Sequence, residues 1–106
     1  MRSWTPSVRG PAVLFVKAEW CPHCQTAKPE MEQASLMLGR VIPVYAVDAD
    51  KHKRYVQQWG VEGFPTVIFL TPEGEMHKYD GPRKGQQVAD WACLTSGLCA
   101  AGRRPA

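Results

Sequence analysis

Residues 12–16 read Ala-Val-Leu-Phe-Val, five consecutive apolar side chains rich in β-formers, and this run limits the folds open to the chain. Successive side chains of a strand point to opposite faces, so a strand with no polar member must be covered on both sides. The cover has to come from a chain of 106 residues, which holds one domain and one hydrophobic core. A helical stretch follows from Cys21 to about Leu38, with Ala27, Met31, Ala34 and Leu38 at three- and four-residue steps and Gly39 as a stop. Pro29 interrupts it and should kink it, because it removes one backbone donor and crowds the preceding turn.

Residues 41–47 read as a second strand, and Asp50 is placed to cap a helix that runs to about Trp59 and closes at Gly60. Residues 66–70 make a third strand. The turn Thr71-Pro72-Glu73-Gly74 leads into a fourth over 75–79, an antiparallel hairpin. A last helix over 84–96 buries Val88, Trp91 and Ala92, with Leu94 a further candidate. The order is βαβαββα, an α/β fold, and a right-handed crossover makes the first two strands parallel. The expectation is a central mixed four-stranded sheet flanked by helices, with residues 1–11 an N-terminal extension, 12–97 the domain and 98–106 a C-terminal tail.

Composition narrows the function classes. A net charge of +3, with basic residues scattered apart from the 51–54 run and Arg103–Arg104, does not argue for nucleic acid. No apolar stretch approaches the roughly 20 residues of a membrane span, and residues 1–11 carry no apolar core of a secretory signal. The chain reads as cytoplasmic if complete, and as a resident of an oxidising compartment if a leader has been removed.

The chemistry is expected where the first strand meets the first helix, at Ala18-Glu19-Trp20-Cys21-Pro22-His23-Cys24. Two cysteines with two residues between them on a first helical turn can close a disulfide with little backbone movement. Cys21 falls at the helix N-terminus, where unpaired N–H groups and the dipole favour an anion, so its thiol should ionise easily and attack disulfides. Cys24, one turn deeper, is placed to resolve. His23 offers a positive charge beside the thiolate, and Pro22 fixes φ where no donor is missed. The same pair read as a structural disulfide or half a zinc site lacks suitably spaced further ligands, and no metal is expected. His52 and His77 read as exposed and silent, Trp59 and Trp91 as packing. Cys93 and Cys99 would point about 240° apart on a continuous helix and could not bond. If the helix ends at Gly97 the chain can fold back, so a disulfide, two free thiols and a relay pair all stay open.

Three segments resemble the thioredoxin-like superfamily in the right order. Ala18-Glu19-Trp20-Cys21-x-x-Cys24 is similar to the thioredoxin active-site segment, with Pro29 where that family kinks its helix. Residues 60–66, Gly-Val-Glu-Gly-Phe-Pro-Thr, resemble its second signature, and Tyr79-Asp80-Gly81-Pro82-Arg83 followed by Val88 and Trp91 is closer to protein disulfide isomerase domains. The resemblance implies a trimmed thioredoxin-like fold, since residues 1–11 are too few for the extra strand and helix of thioredoxin. It implies that Cys21 is the nucleophile and Cys24 the resolving cysteine, and that Pro65 is a cis-proline facing them. It also implies that the backbone of Phe64 pairs with a substrate peptide in strand fashion, that Trp20 shields the disulfide and shapes the groove, and that Arg83 tunes the ionisation of Cys24.

The departures are as informative. These families carry a buried acid six residues before the first cysteine and a lysine that pairs with it; Phe15 and Val44 stand there instead. A buried charge must be paired or removed, and here both members are apolar, which leaves Cys24 without the usual proton acceptor. Pro22-His23 matches the centre of the bacterial oxidant DsbA, which places the chain toward the oxidising end. The functional expectation is a thiol–disulfide oxidoreductase with no cofactor beyond Cys21–Cys24, acting as a monomer on protein thiols and disulfides with a redox partner. The alternatives are a reductase fed by a reductase partner and a binding module without turnover.

Overall fold

The computed structural model describes residues 1–99. The chain runs β1 (Arg2–Ser3), β2 (Ala12–Lys17), α1 (Pro22–Leu38), β3 (Val44–Asp48), α2 (Lys53–Gln58), β4 (Thr66–Leu70), β5 (Met76–Lys78) and α3 (Gly85–Ser96). The strands form one mixed sheet in the order β1-β3-β2-β4-β5. β2 pairs parallel with β3, Phe15 opposite Ala46, and antiparallel with β4, Phe15 opposite Val67; β5 adds the hairpin.

The all-apolar β2 is central and covered on both faces, with residues 12–16 each fully buried. Alternation divides it: Val13 and Phe15 join Ala27, Met31 and Ala34 of α1 and Val88, Ala89 and Ala92 of α3. Ala12, Leu14 and Val16 join Val56 of α2 on the opposite face, together with Trp4, Val47 and Ile68. Phe15 and Val44, standing where the related families keep an ion pair, are both buried in the α1–α3 layer. Burying each such side chain contributes about 1.5–3 kcal/mol, whereas an unpaired charge there would cost several.

The sheet has five strands, not the four expected. Residues 2–3 pair parallel with Tyr45 and Ala46, and Trp4 packs edge-on against His52, Tyr55 and Trp59. Two exposed polar residues carry no periodic signal, so the pairing of β1 rests on backbone hydrogen bonds and on Trp4 as an anchor. His52 is correspondingly half-buried rather than exposed and silent; it is the N-cap residue of α2, without a side-chain capping bond. Asp50 does not cap that helix. Asp48 Oδ1 instead accepts from the N–H groups of Asp50 at 3.0 Å and Lys51 at 3.3 Å, turning the chain before the helix begins.

β3 begins at Val44 rather than at 41, because Pro43 lacks a donor for the ladder. In α3 the buried stripe is Val88, Ala89, Ala92 and Cys93, with Trp91 half-buried against Phe69 and Tyr79. Leu94 is 70% exposed, because two residues beyond Ala92 it has turned to the opposite side. α3 ends at Gly97 in the left-handed region (φ 69°), and the chain folds back so that Cys93 and Cys99 form a disulfide. Of the expected tail, residues 100–106 lie outside the described part.

Candidate active site

The site is assembled at the junction of β2 and α1. Ala18, buried, closes the strand, and Cys21 N–H donates to its carbonyl at 3.1 Å, which turns the chain into the helix. Cys21 is the N-cap of α1, with extended φ and ψ and Pro22 following it. Its sulfur takes the place an oxygen fills in an ordinary cap: the N–H of Cys24 donates to Cys21 Sγ at 3.3 Å. Both thiols are free, with relative exposures of 4% for Cys21 and 2% for Cys24.

The arrangement separates the two acidities. The Cys21 thiol is held below the ordinary range chiefly by the hydrogen bond from the Cys24 thiol; burial opposes this, and the N–H groups of Cys24 and His23 add to the lowering. Burial pushes Cys24 up, and so does its role as donor to Cys21, to about 11. Of the two sulfurs, the outer Cys21 therefore gives up its proton first and carries the negative charge when one is lost. The part of His23 nearest the sulfur is its backbone N–H; its imidazole is exposed and lines the neighbouring cleft.

Across from the cysteines lies the loop between α2 and β4. The Phe64–Pro65 peptide is cis, Pro65 is buried, and the Cys21 thiol points at the Phe64 carbonyl at 3.8 Å. Trp20 is 67% exposed and stands edge-on to the Phe64 ring with centroids 5.9 Å apart, so the two aromatics wall one side of the approach to Cys21. Phe64, Pro65 and Arg83 form a ridge between two clefts. The cleft on the α1 side, ≈ 460 Å³, is lined also by His23, Thr26, Ala27, Glu30 and Lys84.

Arg83 is not directed at Cys24. Its Nη2 donates to the Pro65 carbonyl at 2.8 Å, so the guanidinium ties the start of α3 to the proline loop. The charges that act on Cys24 are the Cys21 sulfur, which raises its pKa, and the Lys17 ammonium, which lowers it. Lys17 is itself paired with Glu19.

Two residues absent from the sequence reading contribute. Lys17 follows Phe15 by two positions and so lies on the same face of β2, one pleat nearer the cysteines; that alternation is the signal that finds it. Glu30 accepts from the N–H of Gly85 at 2.9 Å, capping α3 from α1. Its signal is the helical step from His23 through Thr26 and Ala27 to Glu30, which sets all of them on one stripe.

Among the described residues no group of three or more His, Cys, Asp or Glu is arranged to hold a metal ion, and no helix is long and apolar enough to cross a membrane.

The chain is similar to known proteins in sequence and in fold. The thioredoxin family model matches residues 5–93. The chain is 45% identical over 76 residues to human protein disulfide-isomerase A6, covering 71% of this chain and 17% of that one. It is 39% identical over 75 residues to protein disulfide isomerase-like 2-3 of Oryza sativa subsp. japonica, with the same shares. It thus spans under a fifth of the length of these curated relatives. The first thioredoxin domain of mouse protein disulfide-isomerase A4 superposes with a TM-score of 0.73 at 26% identity, covering 90% of this chain and 67% of that one. With the sheet order, the cysteine pair at the head of α1 and a family match over most of its length, the chain belongs to the thioredoxin family.

Proposed function

We propose that this chain is a thiol–disulfide oxidoreductase that exchanges disulfides with protein substrates through Cys21 and Cys24 and works as an oxidant or isomerase. The observation that carries the reading is the split in thiol acidity: a stabilised Cys21 thiolate at a helix N-cap over a Cys24 thiol raised to about 11. The kinship with protein disulfide-isomerases supports it.

As oxidant, the disulfide form is attacked at Cys21 Sγ by a client thiolate. The Cys21–Cys24 bond breaks, a client–Cys21 bond forms, and Cys24 leaves as a thiolate that takes a proton. A second client thiolate then attacks the client sulfur of the mixed disulfide and expels Cys21. The client has lost two electrons and the pair has gained them, with no further cofactor. A sulfur that is stable as an anion is a good leaving group, so the lowered pKa of Cys21 speeds this last step. As isomerase, the reduced Cys21 thiolate attacks a client disulfide and releases one client thiolate, which attacks a second client disulfide. A client thiolate then expels Cys21, so the client's bonds are rearranged with no net change in oxidation state.

The remaining residues have supporting roles in this reading. Pro22 presets the first turn, and His23 supplies an N–H to the sulfur and a titratable ring at the cleft. The Phe64 backbone pairs with the client strand, Pro65 shapes that loop, Trp20 screens the sulfurs from water, and Arg83 steadies the Pro65 carbonyl. With Phe15 and Val44 apolar, Lys17 is the nearest cation available to ease the ionisation of Cys24.

The test is the equilibrium redox potential of the Cys21–Cys24 pair in glutathione buffers, followed by Trp20 fluorescence, with a mass map to keep Cys93–Cys99 separate. Thioredoxin lies at about −270 mV and DsbA at about −120 mV. A value well above thioredoxin's supports an oxidant or isomerase; one at or below it makes the chain a reductase.

A further inference from the structure

The α1-side cleft beside Cys21 has an unbalanced charge. Arg83 and Lys84 contribute two cations, each from a side chain exposed to solvent, and the exposed His23 lines the same cleft. The acid in its lining is Glu30, and that carboxylate is already engaged by the Gly85 N–H at the N-terminus of α3. Arg83 spends one donor on the Pro65 carbonyl and retains four of its five N–H groups. Neither Arg83 nor Lys84 has a carboxylate partner among the described residues. The Lys84 side chain makes no capping bond to α3, so its ammonium is at liberty over the cleft.

The position gives the charge its meaning. The cleft shares Phe64 and Pro65 with the wall that faces Cys21, whose sulfur lies 3.8 Å from the Phe64 carbonyl. A client strand laid along Phe64 with its cysteine at Cys21 has this cleft, lined by His23, Arg83 and Lys84, on one side, and on the other the cleft that holds Glu62, Lys78 and Asp80. A side chain of a few carbons ending in a carboxylate meets two unpaired cations in the first, while a lysine meets like charge.

We propose that this cleft is an acidic-side-chain subsite, which makes the chain selective for client cysteines flanked by aspartate or glutamate. The inference rests on the exchange reading above and adds a substrate class to it. The backbone pairing at Phe64 is indifferent to sequence, so the discrimination falls to Arg83 and Lys84. Cations at an exposed rim act mainly on the encounter, so the selectivity is expressed in the second-order rate of mixed-disulfide formation and is weakened by salt.

The experiment uses the oxidised full chain and three reduced peptides that differ only in the residues beside one cysteine: glutamate, glutamine or lysine. Rates of reduction of Cys21–Cys24 are followed by Trp20 fluorescence and divided by each peptide's thiolate fraction, which removes the effect of the flanking charge on the peptide thiol itself. The glutamate peptide is expected to react about fivefold faster than the glutamine one and the lysine peptide correspondingly slower, with the spread shrinking at about 0.5 M salt. Lys84→Gln reduces the spread and Lys84→Glu reverses its sign; since Lys84 is exposed and precedes the helix, both variants keep the fold. Equal corrected rates, or a preference unchanged in Lys84→Glu, overturn the subsite and leave the exchange reading standing. If none of the three peptides reduces the protein, the exchange reading itself fails.

Discussion

Cys21 and Cys24 are the same side chain in the same helical turn, and their opposite behaviour comes from the hydrogen bond between the two sulfurs and from burial, the leading cause at Cys24. Cys21 Sγ receives the N–H groups that a helix start leaves over, while Cys24 has the interior around it and can give up its proton only into an apolar setting. The neutral Cys24 thiol is the form the fold favours. Its contribution to stability in the reduced protein is therefore complete below the ordinary thiol value of 9.0 and is lost as pH rises toward about 11. Cys21 runs the other way, its contribution present above the ordinary value and fading as pH falls. Urea unfolding of the reduced protein, set against Cys24→Ser at each pH, should show the wild type losing stability relative to the variant between pH 9 and 11; parallel curves would refute it. Much of this was legible beforehand, because the N-cap position of Cys21 follows from the strand, the helix and Pro22. The partner of Arg83 was not. Whether a guanidinium turns to Cys24 or to the Pro65 carbonyl is decided by the path of a loop, which residue spacing does not encode.

At the scale of elements, α1 and α3 meet over glycine. A Cβ at Gly85 would lie 2.7 Å from Gln33 Cβ and 2.9 Å from the Glu30 carbonyl, so α3 begins as close to α1 as a backbone allows. That approach places the Gly85 N–H on Glu30 and presents Arg83 and Lys84 to the cleft. Gly85→Ala must push the helices apart, at a cost of about 1–3 kcal/mol in an overpacked contact. Chemical denaturation should show that loss, and an unchanged midpoint would mean that the contact yields freely. The long elements were readable from periodicity: β2, α1 and β4 lie within a residue or so of their expected spans. The two-residue β1 was not, since its polar residues join the sheet through backbone alone, nor was the turn at Asp48, where a neighbouring aspartate offers the same chemistry in the sequence.

For the molecule as a whole, the Cys93–Cys99 bond ties the segment after α3 to the core layer, with Cys93 buried among the residues of that layer. A short closed loop of this kind contributes about 2 kcal/mol on the chain-entropy account. Cys99→Ser should lower the unfolding free energy by about that amount, measured with Cys21–Cys24 oxidised in both proteins; equal stability would show the crosslink to be idle. The sequence left this bond open because its geometry depends on whether α3 stops at Gly97, and the left-handed turn there settles the matter. The spacing of the four cysteines also bears on how the chain acquires its covalent structure. Each cysteine has its neighbour three or six positions away, whereas a crossed bond would have to close a loop of roughly seventy residues, which the unfolded chain resists by about 2 kcal/mol more. Oxidation of the unfolded chain is thereby steered toward local pairs, and Cys21–Cys24 and Cys93–Cys99 can each close with little risk of crossing.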